Sequence, residues 1–305
     1  MQPTPEKKEM VKAYLAWGAV CLFWGTTYLA IRIGVSILPP ALFAGIRFAI
    51  AGVIFFLFLR FRGYSLPNRK GLLDAVVVGI ALLVTANGLV VWSEQWVPSG
   101  LAALIVSTLP FWMAFFEGLL PGGDRLTAKK ISGILMGFCG VLILFWPDLK
   151  GSLDTRYLKG ILVLFLAPCS WAAGSIYSKH RPVHTDPLMA ASLQMIIAGF
   201  ILMSIGASFG EFKRFVFEPL GVGALVYLII FGSIVGYGSF IYALSKLPAS
   251  KVSMYAYINP VIAVILGWLV LGERMDGWMI AGTVVVLAGV VIVNSEKSPG
   301  KTSFH

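Results

Sequence analysis

Hydrophobic positions in this chain do not alternate at the period of a strand, nor do they mark one face of a surface helix. They run on in ten blocks, at 13–33, 39–59, 72–92, 98–120, 128–146, 158–178, 186–208, 219–242, 249–271 and 276–294. Each block is about 20 residues, enough to cross the hydrocarbon core of a bilayer as a helix. Lipid offers backbone groups no hydrogen-bond partner, so all ten are predicted to be helical and the chain to be an all-α polytopic membrane protein. The connections are short and leave no stretch for a separate soluble domain, which argues against a soluble catalytic module and predicts that the protein is not an enzyme. The first residues, Met1 to Lys12, are polar and charged, and no small-residue cleavage pattern ends the block after them. The first block is therefore expected to stay in the membrane.

Composition agrees: 58% of the 305 residues are hydrophobic and 12% charged, about half the charged fraction of a soluble domain. The net charge of +10 does not point to nucleic acid, because the basic residues sort by connection. With the N-terminus in the cytoplasm, 16 of the 24 Lys and Arg fall on the inner side, among them Lys7, Arg62, Arg69, Arg125 and Lys297, and 7 on the outer side, with Arg47 alone inside a block. That bias predicts both termini in the cytoplasm. Cys21, Cys139 and Cys169 all lie in apolar blocks without paired spacing and read as buried small hydrophobes, so no disulfide, metal site or cofactor is expected.

The chain repeats itself. An offset of 147 residues places Trp171 on Trp24, Lys179 on Arg32, Pro187 on Pro40 and Ala198-Gly199 on Ala51-Gly52. At an offset of 150, Gly238 meets Gly88, Pro248 meets Pro98 and Pro260 meets Pro110. At 149, Arg274 meets Arg125, Gly282 meets Gly133 and Gly289 meets Gly140. This divides the chain into an N-terminal half, 1–150, and a C-terminal half, 151–305, each holding one five-helix repeat, at about 11–147 and 158–294. Five is odd, so the second copy enters from the opposite face and the repeats are inverted, an arrangement characteristic of transporters that rock about a midplane site.

The segments PALFAGIRFAIAG (40–52), SEQWVPSGLAALIVSTLP (93–110) and NPVIAVILGWLVLGER (259–274) resemble the drug/metabolite transporter superfamily, and within it the ten-span EamA branch. The resemblance implies one bundle in a bacterial-type cytoplasmic (inner) membrane, with a central cavity that exports small metabolites by alternating access. It also implies a pocket lined by the first, third, fourth, sixth, eighth and ninth helices, with the second and seventh, pivoting on Pro39-Pro40 and Pro187, as the gate.

Several residues are candidates for that pocket. Pro110 and Pro260 occupy equivalent repeat positions, where each deprives the carbonyl four residues back, at Val106 and Ala256, of its helical partner. Pro168 is a third such position without a repeat partner. Trp17, Cys21, Trp24 and Tyr28 share one helical face, and Trp171, Ser175 and Ser178 form a matching stripe. Trp17 is placed to serve as an interfacial anchor. Asn87, Tyr237, Tyr255, Tyr257 and Asn259 add polar groups at depth, either to bond neighbouring helices or to line an aromatic, mildly polar pocket. Arg47 stands to hold a substrate carboxylate or to act structurally; the resemblance, which includes an arginine in an RF motif whatever the substrate, favours structure. Glu94 reads as a rim carboxylate that either attracts a substrate ammonium or simply ends its helix, and Glu117 as a group that reaches out of the membrane.

No Asp, Glu or His lies at the centre of a block, while His180, His184 and His305 fall in connections or the tail, which argues against proton coupling. Thr127 and Asp276 are predicted helix caps. Glycines of the fifth and tenth helices, Gly133, Gly137, Gly140, Gly282 and Gly289, predict close packing as a scaffold or a self-association seam. Beyond the bilayer, the expected partner is a small-molecule substrate, best an amino acid with a neutral or aromatic side chain. The rivals are a multidrug or quaternary-amine exporter, a phosphorylated-solute exchanger, and a lipid scramblase or other non-transport bundle.

Overall fold

A computed structural model describes residues 5–120, 127–149, 154–181 and 186–295. Arg125, Lys150, His184, His305, Lys297, Lys301 and the tail beyond 295 lie outside them. The described residues form ten helical spans and no strand: α1 (Pro5–Val35), α2 (Pro40–Phe61), α3 (Arg69–Ser93), α4 (Ser99–Leu119), α5 (Ala128–Leu149), α6 (Thr155–His180), α7 (Pro187–Ser208), α8 (Pro219–Lys246), α9 (Tyr255–Leu271) and α10 (Gly277–Asn294). Their outer faces are apolar: Leu135 and Leu142 on α5, Leu162 on α6, Phe200 on α7 and Leu269 on α9 are all exposed. Such a surface is stable against lipid and not against water.

Local chemistry sets where the spans begin. Asn68 Oδ1 accepts from Gly71 N (2.9 Å), Asp186 Oδ1 from Leu188 N (2.8 Å) and Asp276 Oδ1 from Met279 N (2.9 Å), each satisfying a donor that a helix start leaves free. Thr127 Oγ1 accepts from Lys130 N at 3.3 Å, so both predicted caps form. Pro40 and Pro187 open α2 and α7 at the one helical position where a missing N–H costs nothing. His180 closes α6 and is not in a connection.

The prolines divide differently from the expectation drawn from the repeat. In α4 the helix stops at Val106 and resumes at Leu109, and in α6 it stops at Leu164 and resumes at Leu166. In both, the last helical residue before the break is the one whose carbonyl the proline ring at 110 or 168 would strike. α9 instead continues through Pro260, and the interruption there falls earlier, at Ser253-Met254 after a short turn over Ala249–Val252. By local effect Pro110 pairs with Pro168, not with Pro260.

Two inverted five-helix repeats interlock. The first span of each crosses to the other: α1 packs on α8 and α9, and α6 on α3 and α4. Equivalent spans also pair, α2 with α7 and α5 with α10, in the most extensive helix contacts of the described residues. A Cβ at Gly289 would meet Gly133 O and Gly137 N at 2.6 Å, and one at Gly140 would meet Val286 N at 2.6 Å, so the expected glycine seam joins α5 to α10 within one chain. Self-association would have to use other faces of these helices. Cys139, on the outer face of α5, is exposed rather than buried.

Candidate functional site

Between the halves lies a narrow cavity of about 60 Å³, so a substrate larger than a few waters would enter only as the halves separate. α1 brings Trp24, Thr27, Tyr28 and Ile31 to it, at the three- and four-residue steps of one helical face. α3 contributes Leu83, Ala86, Asn87 and Val90; α6 contributes Ala167, Pro168 and Trp171; α8 contributes Gly232 and Tyr237; and α4 and α9 contribute Val106 and Tyr255. α2 lines it too, through Arg47 and Phe48, so the second helix forms part of the wall.

The backbone at this depth is not regular α-helix. Ile80–Asn87 in α3 and Leu228–Tyr237 in α8 are π-helical, at equivalent repeat positions and each ending at the repeat-matched glycine, Gly88 or Gly238. The wider turn misaligns the hydrogen-bond ladder and is frequent at functional sites. Each π segment gives one carbonyl to a side chain from the opposite half. Trp24 Nε1 donates to Gly232 O (3.0 Å) and Ser170 Oγ to Ala81 O (2.8 Å). Gly232 is also where α8 admits Arg47, since a Cβ there would lie 2.8 Å from Nη2.

Aromatic rings close the cavity toward the N-terminal end of α1. Trp24 meets Trp171 and Tyr255 edge-on, with centroids 5.3 and 5.2 Å away, and Phe240 stands behind all three. Beyond them a wider space of about 780 Å³ opens among Glu9, Lys12, Tyr64, Tyr242 and Lys246. The other end is tied shut between halves. Glu273, in the α9–α10 connection, accepts from Ser99 N (2.8 Å), Ser99 Oγ (2.9 Å) and Gly100 N (3.1 Å) at the start of α4. Glu211 accepts from Leu42 N (2.7 Å) at the start of α2.

The polar groups fall into two sets. Some are consumed by the fold: Tyr237 Oη donates to Gln194 Oε1 (2.6 Å), Arg47 Nε to Ser233 Oγ (2.8 Å), Tyr257 Oη to Val290 O (2.6 Å) and Trp17 Nε1 to Val252 O (3.2 Å). Trp17 thus bonds α1 to the turn before α9. Asn259 lies 3.0 Å from Cys21 O and holds α9 to α1. Others are buried without a partner: Arg47 Nη1, Trp171 Nε1 and Asn87 Oδ1 on the cavity wall, and Ser175 Oγ one turn beyond Trp171.

Of the residues that the sequence singles out, Trp24, Tyr28, Arg47, Asn87, Trp171, Tyr237 and Tyr255 meet at the cavity, as does Pro168; Pro110, Ser175, Tyr257, Asn259, Pro260 and Glu94 are not on its wall. Glu94 differs most from expectation. It is not on a rim but fully buried, at 0% exposure, and neither carboxyl oxygen has a hydrogen-bond partner. Thr27 and Ile31 share the face of Trp24 by spacing but carry no distinguishing chemistry, and Gly232 shows only as one glycine among 33.

Comparison with known proteins agrees with this architecture. EamA-like transporter sequences match residues 11–146 and again 158–295. The chain belongs to the EamA-like transporter family. It is 34% identical over 297 residues to YedA, an uncharacterized inner membrane transporter of Escherichia coli strain K12, covering 96% of this chain and 95% of that one. A probable amino-acid metabolite efflux pump of Salmonella typhimurium is 26% identical over 284 residues, 90% of this chain and 91% of the pump. A solved crystal structure shares the fold with a TM-score of 0.67 at 20% identity, over 92% of this chain and 96% of that chain. As an EamA-like transporter, the protein is a membrane carrier, and the cavity between its repeats is the place to look for cargo.

Proposed function

We propose that the protein exports small metabolites, best amino acids with neutral or aromatic side chains, across the cytoplasmic membrane, by alternating access, with both termini in the cytoplasm. The observation that carries this reading is the set of unpartnered groups on one aromatic cavity: two donors, Arg47 Nη1 and Trp171 Nε1, and one acceptor, Asn87 Oδ1. Unpaired buried donors are costly, and a carboxylate from the substrate satisfies them with charge-assisted bonds. An α-ammonium group fits the acceptor and the faces of Trp24, Tyr28 and Tyr255. Apolar neighbours such as Leu83, Ala86 and Val106 accept an uncharged side chain. The name of the Salmonella relative points the same way, and the bias of basic residues supports the orientation.

The aromatic cluster around Trp24 favours a second reading, a quaternary-amine exporter, since ring faces bind cations without help from a carboxylate. Three probes separate the two. Purified protein is titrated with L-phenylalanine, phenethylamine, which lacks the carboxylate, and hydrocinnamate, which lacks the amine, and tryptophan fluorescence is followed. The amino-acid reading expects L-phenylalanine to bind at least about tenfold more tightly than either analogue, or about 1.4 kcal/mol. Tighter binding of phenethylamine would replace it with the amine reading.

A further inference from the structure

Glu94 sits one helical turn above Val90 on the cavity wall, its N–H bonded to Val90 O at 3.0 Å. Its backbone carbonyl accepts from Arg32 Nη1, but its carboxyl has no donor, hydroxyl or backbone group within hydrogen-bonding reach and no exposed surface. A carboxylate in that position costs far more than a carboxylic acid. Four groups act on it from the packed elements. Burial disfavours its charge most, and Glu273 adds to that, while Arg32 on α1 and Arg47 on α2 favour it; Tyr28 on α1 is the nearby phenol. On α6, which packs on this end of α3, the cations Arg156 and Lys159 are exposed. The balance of opposed effects at one buried site is what a group needs in order to gain and lose a proton during a cycle.

Geometry links that proton to an opening. Glu94 lies five residues before Ser99, at the turn from α3 into α4, and Glu273 is the carboxylate that ties the α9–α10 connection to that same Ser99 and to Gly100. With Glu94 neutral, Glu273 keeps its three bonds unopposed and the end stays shut. With Glu94 charged, the two carboxylates repel and the tie loosens. We propose that Glu94 is a proton-binding site that couples proton movement to opening of the end closed by Glu273, so that one proton enters the cell as one substrate leaves. In the cycle the Glu94 carboxylate takes a proton from the medium when that end is open, closes it, and releases the proton to the cytoplasm from the opposite state. This rests on the carrier reading above.

The test uses wild type, Glu94→Gln and Glu94→Asp in proteoliposomes with labelled L-phenylalanine. Counterflow without an ion gradient is measured beside accumulation driven by an imposed pH gradient. Wild type is expected to accumulate label at least about tenfold faster with the gradient than without it. Glu94→Gln should lose that dependence while retaining slower counterflow, and Glu94→Asp should restore it. Counterflow in wild type with no response to the pH gradient would overturn the proposal and leave the carrier reading standing. Absence of counterflow from folded wild type would instead sink the substrate assignment. Infrared difference spectra across a pH titration then decide the proton site alone: a protonated-carboxyl band present in wild type and absent in Glu94→Gln upholds it, and no such band overturns it.

Discussion

Arg47 has half of its guanidinium occupied and half free. Nε is bonded to Ser233 and Nη1 to nothing, while the side chain is 3% exposed and the charge stands 4.7 Å from the Phe48 ring centroid. A purely structural arginine at this depth would be expected to have all its donors used, because each unpaired one costs about 1–3 kcal/mol. Replacing Arg47 with Gln should therefore weaken L-phenylalanine binding by about ten- to a hundredfold, the loss of a bond to a charged group, and leave phenethylamine binding within about twofold. Equal loss of both ligands, or loss of folded protein in detergent, would assign Arg47 to structure. Tyr237 provides the contrasting case, since its hydroxyl is consumed by Gln194. Tyr237→Phe leaves that amide oxygen unpaired and should cost about 1–3 kcal/mol of stability, read as a lower unfolding midpoint with ligand specificity unchanged. At this scale the sequence exposes chemistry but not its use. Arg47, Asn87, Tyr237 and Tyr257 all stand out as polar groups in apolar runs, yet which ones are spent depends on partners 33 to 186 positions away.

Helices carry information in their glycines and prolines, and part of it is readable without a structure. The stripe Gly133, Gly137, Gly140 with Gly282 and Gly289 predicts close contact, and the α5–α10 seam is that contact. Adding one methyl at Gly289 would bring Cβ to 2.6 Å from Gly133 O, and backbone cannot yield as a side chain does. Gly289→Ala should destabilise by about 1–3 kcal/mol, measured as a lower thermal midpoint in detergent. Gly223→Ala, whose Cβ meets nothing within 4 Å, should be neutral or slightly stabilising. The π segments were not legible, because no residue type specifies a π turn. They coincide with the carbonyls to which Trp24 and Ser170 donate from the opposite half, and their only trace in the sequence is the matched pair Gly88 and Gly238. Pro260 misleads for a related reason: symmetry marks it, but the local break in α9 lies at Ser253-Met254.

For the whole molecule, exchange of α1 and α6 between repeats means that neither half closes its own wall of the cavity. Trp24 reaches α8 and Ser170 reaches α3, so rotation of one half against the other acts directly on both π segments. The two ends are unequal. One is held by Glu273 and Glu211 across the repeats, and the other gives onto the wide space beside Lys12 and Lys246. The inverted repeat was readable from aligned prolines and glycines, whereas this inequality was not, since it rests on bonds that Glu211 and Glu273 make to backbone 169 to 174 positions away. Carriage of amino acids through this cavity is read without any driving force by counterflow. Proteoliposomes loaded with unlabelled L-phenylalanine and given a trace of labelled L-phenylalanine outside, with no ion gradient, should accumulate label transiently, and Arg47→Gln should depress that accumulation. No accumulation of phenylalanine, leucine or alanine by protein shown to be folded would contradict the claim.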